Sequence, residues 1–366
     1  MMKKLTALLV VLIMCFTLCA CSAEKAEDGT TVSNTTSSDV SVQETTEPLT
    51  TEALTTELAT TEEPTTEEVT IPSVPADDNT SEEAYGITPL LYKVTDANGN
   101  VIWLFGSIHI GKEEFYPLPD YVMDAFNSSD ALAVEADVSS ITGSAVGLAQ
   151  SMKSLIYIDG TTIKDHISEE TYTAAVAALT DLGLYSGLMD YYCPSMWWSL
   201  IESGMILQTG VDATLGVDMH LLSLADESHK EVREIESVAF QYEMLGEFSD
   251  ELQEALLESA IEYADEAELY EQSLNLLMAL WATGDEEAFA SYLSASDEDP
   301  GMSAELYEEY NTAMIINRNK NMTDYAVDAL ASGEEVFICV GAAHVVGDGA
   351  IADNLRELGY TVEVVR

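Results

Sequence analysis

The chain has 366 residues, with 66 acidic against 13 basic side chains and a formal net charge of -53 at pH 7. So acidic a surface repels phosphate backbones and anionic lipid headgroups, which argues against nucleic-acid binding and leaves cationic metals or substrates compatible. The length allows one large domain, or two small ones, plus unstructured ends.

The amino terminus reads as an export signal. "MMKK" supplies positive charge, and "LTALLVVLIMCFTL" is an apolar core too short and wrongly flanked for a retained membrane helix. "LCAC", Leu18 to Cys21, resembles a bacterial lipobox. Residues 1–20 are therefore expected to be removed and Cys21 to carry lipid, an anchor without a spanning segment. An ordinary cleaved signal peptide is the alternative. Either way the rest of the chain is expected outside the cytoplasm, and on the lipobox reading Cys21 ties it to the cell membrane. Cys15 and Cys19 leave with the signal, so Cys193 and Cys339 remain. One disulfide between them is conceivable, but Cys339 lies in the apolar run "VFICV", where a small buried thiol is the commoner finding.

From 21 to 84 the composition changes. "TTEPLTTEALTTELATTEEPTTEEVT" has no aromatic and no basic residue. Such a segment buries too little apolar area to offset its ordering entropy, and its like charges repel. It reads as a disordered stalk, spanning roughly 45 Å for about 60 residues of flexible coil.

The folded domain is expected over 85–366, enough for a sizeable core. "LLYKVTDANGNVIWLFG" places two β-prone runs around "NG", a preferred pair for a tight hairpin. "LPDYVMDAFNSSD" follows as a short amphipathic helix, and "ALAVEAD" (Ala131 to Asp137) as a buried strand ending in Glu135. Residues 139–225 are helical and apolar, and the Tyr191, Tyr192, Trp197 and Trp198 cluster is read chiefly as core packing. "KEVREIES" (Lys230 to Ser237) is a strand ending at Glu236. Two acidic helices cover about 238–283, "DEEAFASYLSA" continues them, and one long helix runs from about Ser303 to Leu330 with Gly333 as its cap. Strand "EEVFICVG", a loop with His344, helix "GAIADNLRELG" and strand "YTVEVV" close the chain. The fold class is thus α/β (α+β): a mixed sheet with an N-terminal hairpin, a large central helical insert and a C-terminal β-loop-α-β unit.

Familiar catalytic signatures are missing. None of the five histidines sits in HExxH, there is no GxSxG elbow, and no glycine-rich phosphate loop occurs. The strand ends share a pattern instead. Strand "VIWLFG" leads to His109, "ALAVE" to Glu135, "EVREIE" to Glu236 and "FICVG" to His344. Ligands of open α/β sheets bind outside the carboxyl ends of strands, so these four are expected in one crevice. Both histidines follow G-x-x-H, "GSIH" and "GAAH", where glycine permits a close backbone approach. Two imidazoles and a carboxylate suit a divalent transition metal such as manganese, cobalt or zinc.

At these residues the chain resembles the TraB/PrgY/GumN family, whose animal relatives include the Tiki membrane proteases. "WLFGSIHIG", "ALAVEAD", "TLGVDMHLLSLA", "KEVREIESVAFQYEML", "INRNKNM" and "VFICVGAAHVVGDGAIADNLRELGYTVEVV" carry the resemblance, in order, over most of 88–366. Tiki-like members imply a metal-dependent peptidase, with His109, His344 and Glu135 as the matching metal and catalytic residues. Members named from conjugative plasmids imply restraint of a peptide pheromone. Three readings follow: a lipid-anchored metallohydrolase acting on a peptide or protein, a lipoprotein that sequesters a peptide without cleaving it, and, implied by a more distant resemblance to haem-binding bacterial lipoproteins of the same broad fold, a haem-binding lipoprotein.

Individual residues carry alternatives. Glu135 is a third metal ligand or a general base. Glu236 is a second catalytic carboxylate, or an acid stabilised by the dipole of the following helix. Arg318 grips a substrate carboxylate or oxyanion, or forms a structural salt bridge. Asp218 positions a neighbour or caps a helix. His166, His220 and His229 are expected to be ordinary. If the anchor is the lipid on Cys21, then Cys21→Ser moves the protein from the membrane fraction to the soluble one. Retention of that variant after a salt wash would mean that the apolar segment itself holds the chain.

Overall fold

A computed structural model describes residues 86–138, 149–150, 152–298 and 301–366. The segments expected to be the signal, the lipidation site at Cys21 and the stalk lie outside the described residues. The first two strands, β1 (Leu91–Thr95) and β2 (Val101–Ser107), form the expected antiparallel hairpin. Its turn differs from a two-residue "NG" turn. Asp96 and Asn100 still pair, and the Asp96 side chain accepts from the backbone N–H groups of Asn98 and Asn100. Only Gly99 takes the left-handed conformation, at φ 89°, as in a three-residue loop. Helix α1 (Asp120–Ser128) then leads to β3 (Ala131–Val134), buried along its length.

The helical insert comes next in the chain. Helices α2 (Glu169–Asp181), α3 (Pro194–Gln208) and α4 (Val217–Ser228) precede β4 (Glu231–Glu234). Trp197 and Trp198 are fully buried and so are core packing as expected, whereas Tyr191 is exposed and Tyr192 half-buried. Residues 238–283 divide into three helices rather than two: α5 (Val238–Gly246), α6 (Asp250–Ala264) and α7 (Ala267–Thr283). Ser237 and Ser249 mark the starts of α5 and α6 by accepting the N–H of Phe240 and Leu252.

Helix α8 (Glu286–Glu298) continues the insert. The single helix expected from Ser303 is interrupted. It runs as α9 (Ala304–Asn311), a π turn over Thr312–Ile316, and α10 (Asn317–Ser332) closed by Gly333 at φ 80°. A π turn inserts one residue into the helical repeat and rotates the residues beyond it, and such turns gather at functional sites. Here it directly precedes Arg318. The chain ends with β5 (Val336–Gly341), a one-turn helix α11 (Ala342–Val345), α12 (Ile351–Glu357) and β6 (Thr361–Val365).

The six strands form one mixed sheet in the order β4-β3-β5-β2-β1-β6. Strands β4, β3, β5 and β2 are mutually parallel, while β1 runs antiparallel to both its neighbours. The parallel strands β3 and β5 are buried throughout, as central strands covered on both faces must be. This topology brings the carboxyl ends of the four parallel strands to one side of the sheet. His109, Glu135, Glu236 and His344 follow those ends. Cys193 and Cys339 are both buried and free, so no disulfide joins them. No helix among the described residues is long and apolar enough to cross a membrane.

Candidate active site

The two G-x-x-H turns lie back to back. Beyond Gly106 and Gly341, which are paired in neighbouring register on β2 and β5, the chain turns into the two histidine loops. A Cβ on Gly106 would stand 3.0 Å from the Ala342 Cα, so the first glycine admits the backbone of the second loop. Gly111 plays the same part for the segment before α4, where a Cβ would meet the Leu215 carbonyl oxygen at 1.9 Å. That approach carries Asp218 to His109. The Asp218 carboxylate accepts from His109 Nδ1 at 2.7 Å, and the Val217 N–H is held by the Ile108 carbonyl.

His344 is oriented in the same manner by a different element. Its Nδ1 lies 2.7 Å from the Asn319 amide oxygen, while the Asn319 amide nitrogen donates to the Gly349 carbonyl. In both rings the hydrogen-bond partner fixes the proton on Nδ1, which leaves Nε2 as the working atom of the neutral tautomer. His109 Nε2 is buried with no hydrogen-bond partner among the described residues, and so is Asp218 Oδ1.

Glu135 and Glu236 meet on adjacent strands. The β3–β4 pairing continues past the strand ends through Ile235 N–H to Val134 and Glu236 N–H to Glu135. Between the two carboxylates sits Arg318, reaching in from α10. Its Nη2 donates to Glu135 at 2.6 Å and to Glu236 at 3.0 Å, and its Nε donates to Glu236 at 3.0 Å. The arginine is 1% exposed, and the two carboxylate side chains are nearly as buried. The second oxygen of Glu135 accepts the Gly341 N–H at 2.6 Å, and the Gln241 amide bridges the carboxylates at 3.3–3.5 Å.

The charges act on one another. Burial alone would raise the Glu135 carboxyl, but Arg318, then the two imidazoles and the Gly341 N–H, bring it from 4.5 to about 2. Burial, with Arg318 alongside, lowers His344 from 6.5 to about 3 against a weaker pull from Glu135, so the ring is neutral at pH 7. Burial would lower His109 too, yet the Asp218 carboxylate outweighs it and the net shift is upward. The two histidines are thus pushed to opposite sides of the ordinary value.

Set against the sequence expectations, the structure brings His109, His344, Glu135, Glu236, Arg318 and Asp218 to one end of the sheet. Arg318 takes the salt-bridge alternative, and Glu236 is its partner rather than an acid left on a helix dipole. Asp218 takes the positioning role. Glu135, expected as third ligand or base, has both oxygens engaged. The other histidines stay apart: His220 packs on the Tyr116 ring, His166 stacks on Tyr157 beside Asp250, and His229 ends α4. Asn319 and Gln241 are not among the sequence candidates. Asn319 has a visible signal, being a polar residue at helical spacing from Met322, Thr323, Ala326 and Leu330, all buried. Gln241 has none beyond a polar place among the buried residues of α5.

The donor set fits a divalent transition ion in part. Two imidazoles with Nδ1 held by oxygen acceptors are the usual form of histidine ligands, and the partnerless His109 Nε2 is what a ligand would satisfy. Among the described residues, however, no group of three or more His, Cys, Asp or Glu side chains is arranged to hold a metal. For Glu135 to join the imidazoles it would have to exchange Arg318 for the ion.

The sequence profile of the TraB/PrgY/gumN family matches residues 90–364, from the hairpin into the last strand. The chain belongs to this family. Among relatives, the protein YbaP of Escherichia coli strain K12 is 27% identical over 259 residues, which cover 69% of this chain and 87% of YbaP. The Shigella flexneri YbaP matches to the same extent. No solved structure gives a significant match. As TraB/PrgY/gumN residues, the strand-end groups are carried by the matched segment in full.

The ion pair makes a pH-dependent prediction. Glu135, held at about 2, contributes stability that is complete above its unfolded value near 4.5 and is lost as pH falls through about 2. In Arg318→Leu, burial acts on Glu135 without its counter-charge, so its folded pKa rises above the unfolded value. Stability of the variant is then favoured below the unfolded pKa and lost as pH rises. Urea unfolding should show a deficit of about 3–5 kcal/mol at pH 7 that shrinks toward pH 4. A deficit constant with pH would mean that Arg318 acts only through packing.

Proposed function

We propose that this protein is a lipid-anchored, extracytoplasmic hydrolase of peptides, with the strand-end crevice of His109, His344 and Glu135 as its active site. The observation that carries the reading is the His109 imidazole. It is anchored through Nδ1 to Asp218, is raised in basicity by it, and has a buried, partnerless Nε2. A ring so arranged can accept or deliver a proton at Nε2 near neutral pH, where general acid–base work is most effective. His344 stays neutral and presents its own Nε2 from the neighbouring loop.

In place of proton transfer at His109, the same two Nε2 atoms would instead hold a divalent transition ion when one is bound, and that ion would supply Lewis acidity toward a carbonyl and lower the pKa of water. Glu135 is held too acidic to serve as an efficient base at pH 7. Its charge, with those of Glu236 and Asp218, opposes one guanidinium, so the crevice is net negative and suited to a cation. Arg318 keeps the carboxylates in place and so fixes the loop that begins at Gly341.

A second reading, capture of a peptide without cleavage, is favoured by one observation: Glu135 is directed to Arg318 and Gly341 rather than into an open ligand position. Digestion of a peptide library by the purified chain, with and without chelator, separates the two. For the hydrolase, His109→Ala and His344→Ala should each lower cleavage about a hundredfold or more, with circular dichroism unchanged and metal content reduced. Asp218→Asn should lower the rate and shift the acidic limb of its pH profile downward, because the neutral amide no longer raises His109. If the wild type binds a peptide, returns it intact and ignores chelator, the capture reading replaces the hydrolase.

A further inference from the structure

A groove of about 1060 Å³ lies between α8, the α9–α10 pair, the loop after β5, and α12. It lies at the upper end of ligand-pocket volumes, about 300–1,000 Å³. Asn319 and Ala343 form part of its lining. Asn319 is the residue that holds His344 Nδ1, and Ala343 immediately precedes His344 in the chain. The groove therefore borders the loop that carries His344.

Two features define what the groove can take. Its lining is in good part apolar, and two of those side chains, Ile316 and Leu358, are left 54% and 61% exposed. Covering them would return about 25 cal/mol for each Å² of apolar surface removed from water. The rim is acidic, with exposed Glu287, Asp324, Asp348 and Glu357. Among the described residues of the lining, Lys320 is the one basic side chain, and Asp324 already holds it at 2.8 Å. Three rim carboxylates are left to face a ligand without a lysine or arginine of the groove opposite them.

We propose that this groove recognises the substrate peptide, taking a segment in which apolar and basic side chains alternate and leading it to His344. The inference rests on the peptide-hydrolase reading and adds the class of sequence that reading lacks. Aliphatic side chains of the segment cover Ile316 and Leu358, and its lysine or arginine heads reach Asp348, Glu357 and Glu287. An acidic segment meets like charge there and is rejected.

Because the whole chain is strongly acidic, any basic peptide is attracted to it, so the test compares variants of equal net charge. Fluorescence polarisation is measured with two labelled peptides, one alternating leucine with lysine and the other leucine with glutamate. The proteins are the full-length wild type, Asp348→Lys/Glu357→Lys, and a control, Glu170→Lys/Asp181→Lys, which alters exposed acids of α2 outside the groove. The leucine–lysine peptide should bind the wild type and control alike, within about twofold, and the groove variant about tenfold or more weakly. The leucine–glutamate peptide should gain on the groove variant. Equal weakening by both charge changes, or by neither, overturns the inference. Groove-dependent binding without cleavage keeps the groove and removes the hydrolase reading. Cleavage of the leucine–lysine peptide that ignores the rim change keeps the hydrolase and removes the groove.

Discussion

A single buried guanidinium holds the strand ends together. Arg318 comes from α10, and the acids it joins come from the ends of β3 and β4. An isolated charge at that depth would cost several kcal/mol, so the arginine and the carboxylates each require the other to be present. The consequence spreads through neighbours. Glu135 also takes the Gly341 N–H, which begins the second histidine loop, and Arg318 is followed in sequence by Asn319, which orients His344. One ion pair therefore sets the depth of α10, the start of that loop and the direction of an imidazole. The π turn before Arg318 belongs to the same arrangement, since the Met314 carbonyl within it accepts from Nη1 of the arginine.

The electrostatic result is a division of labour. Two histidines from equivalent turns are driven apart in basicity, His344 to about 3 by burial and by Arg318, and His109 upward because Asp218 more than offsets burial. Groups of one chemical type separated in this way mark acid–base roles in many active sites. Glu135 stays ionised at any pH the folded chain meets in ordinary conditions, so its contribution is fixed charge. The acidity of the whole chain acts in the same sense, raising the local concentration of cations around the crevice and the rim of the groove.

Much of this is legible in the sequence because parallel strands announce themselves. "WLFG", "ALAV" and "VFICV" are apolar runs that only a sheet covered on both faces can hide, and a polar residue just past such a run must lie at its carboxyl end. The two G-x-x-H turns are visible for the same reason, and the space around Gly106 gives the physical cause of its glycine. Partners across the fold are less legible. No spacing rule connects Arg318 with Glu135 and Glu236, since an ion pair between helix and strand is set by tertiary packing. The break in the long helix is hidden too, because "NTAMIINRN" is as compatible with an unbroken helix as with a π turn. In the hairpin, "NG" points to the turn but not to the loop length, which the Asp96 side chain decides by gathering two backbone N–H groups.

The dependence of the site on one ion pair is tested most directly by a double-mutant cycle on stability, using Arg318→Met, Glu135→Gln and the two together in urea unfolding at pH 7. If the pair is the linchpin, the two changes are not additive: the double variant should be more stable than the sum of the single losses implies, by about 1–3 kcal/mol. Additivity within about 0.5 kcal/mol would contradict it, leaving the two residues as neighbours that stabilise the fold independently.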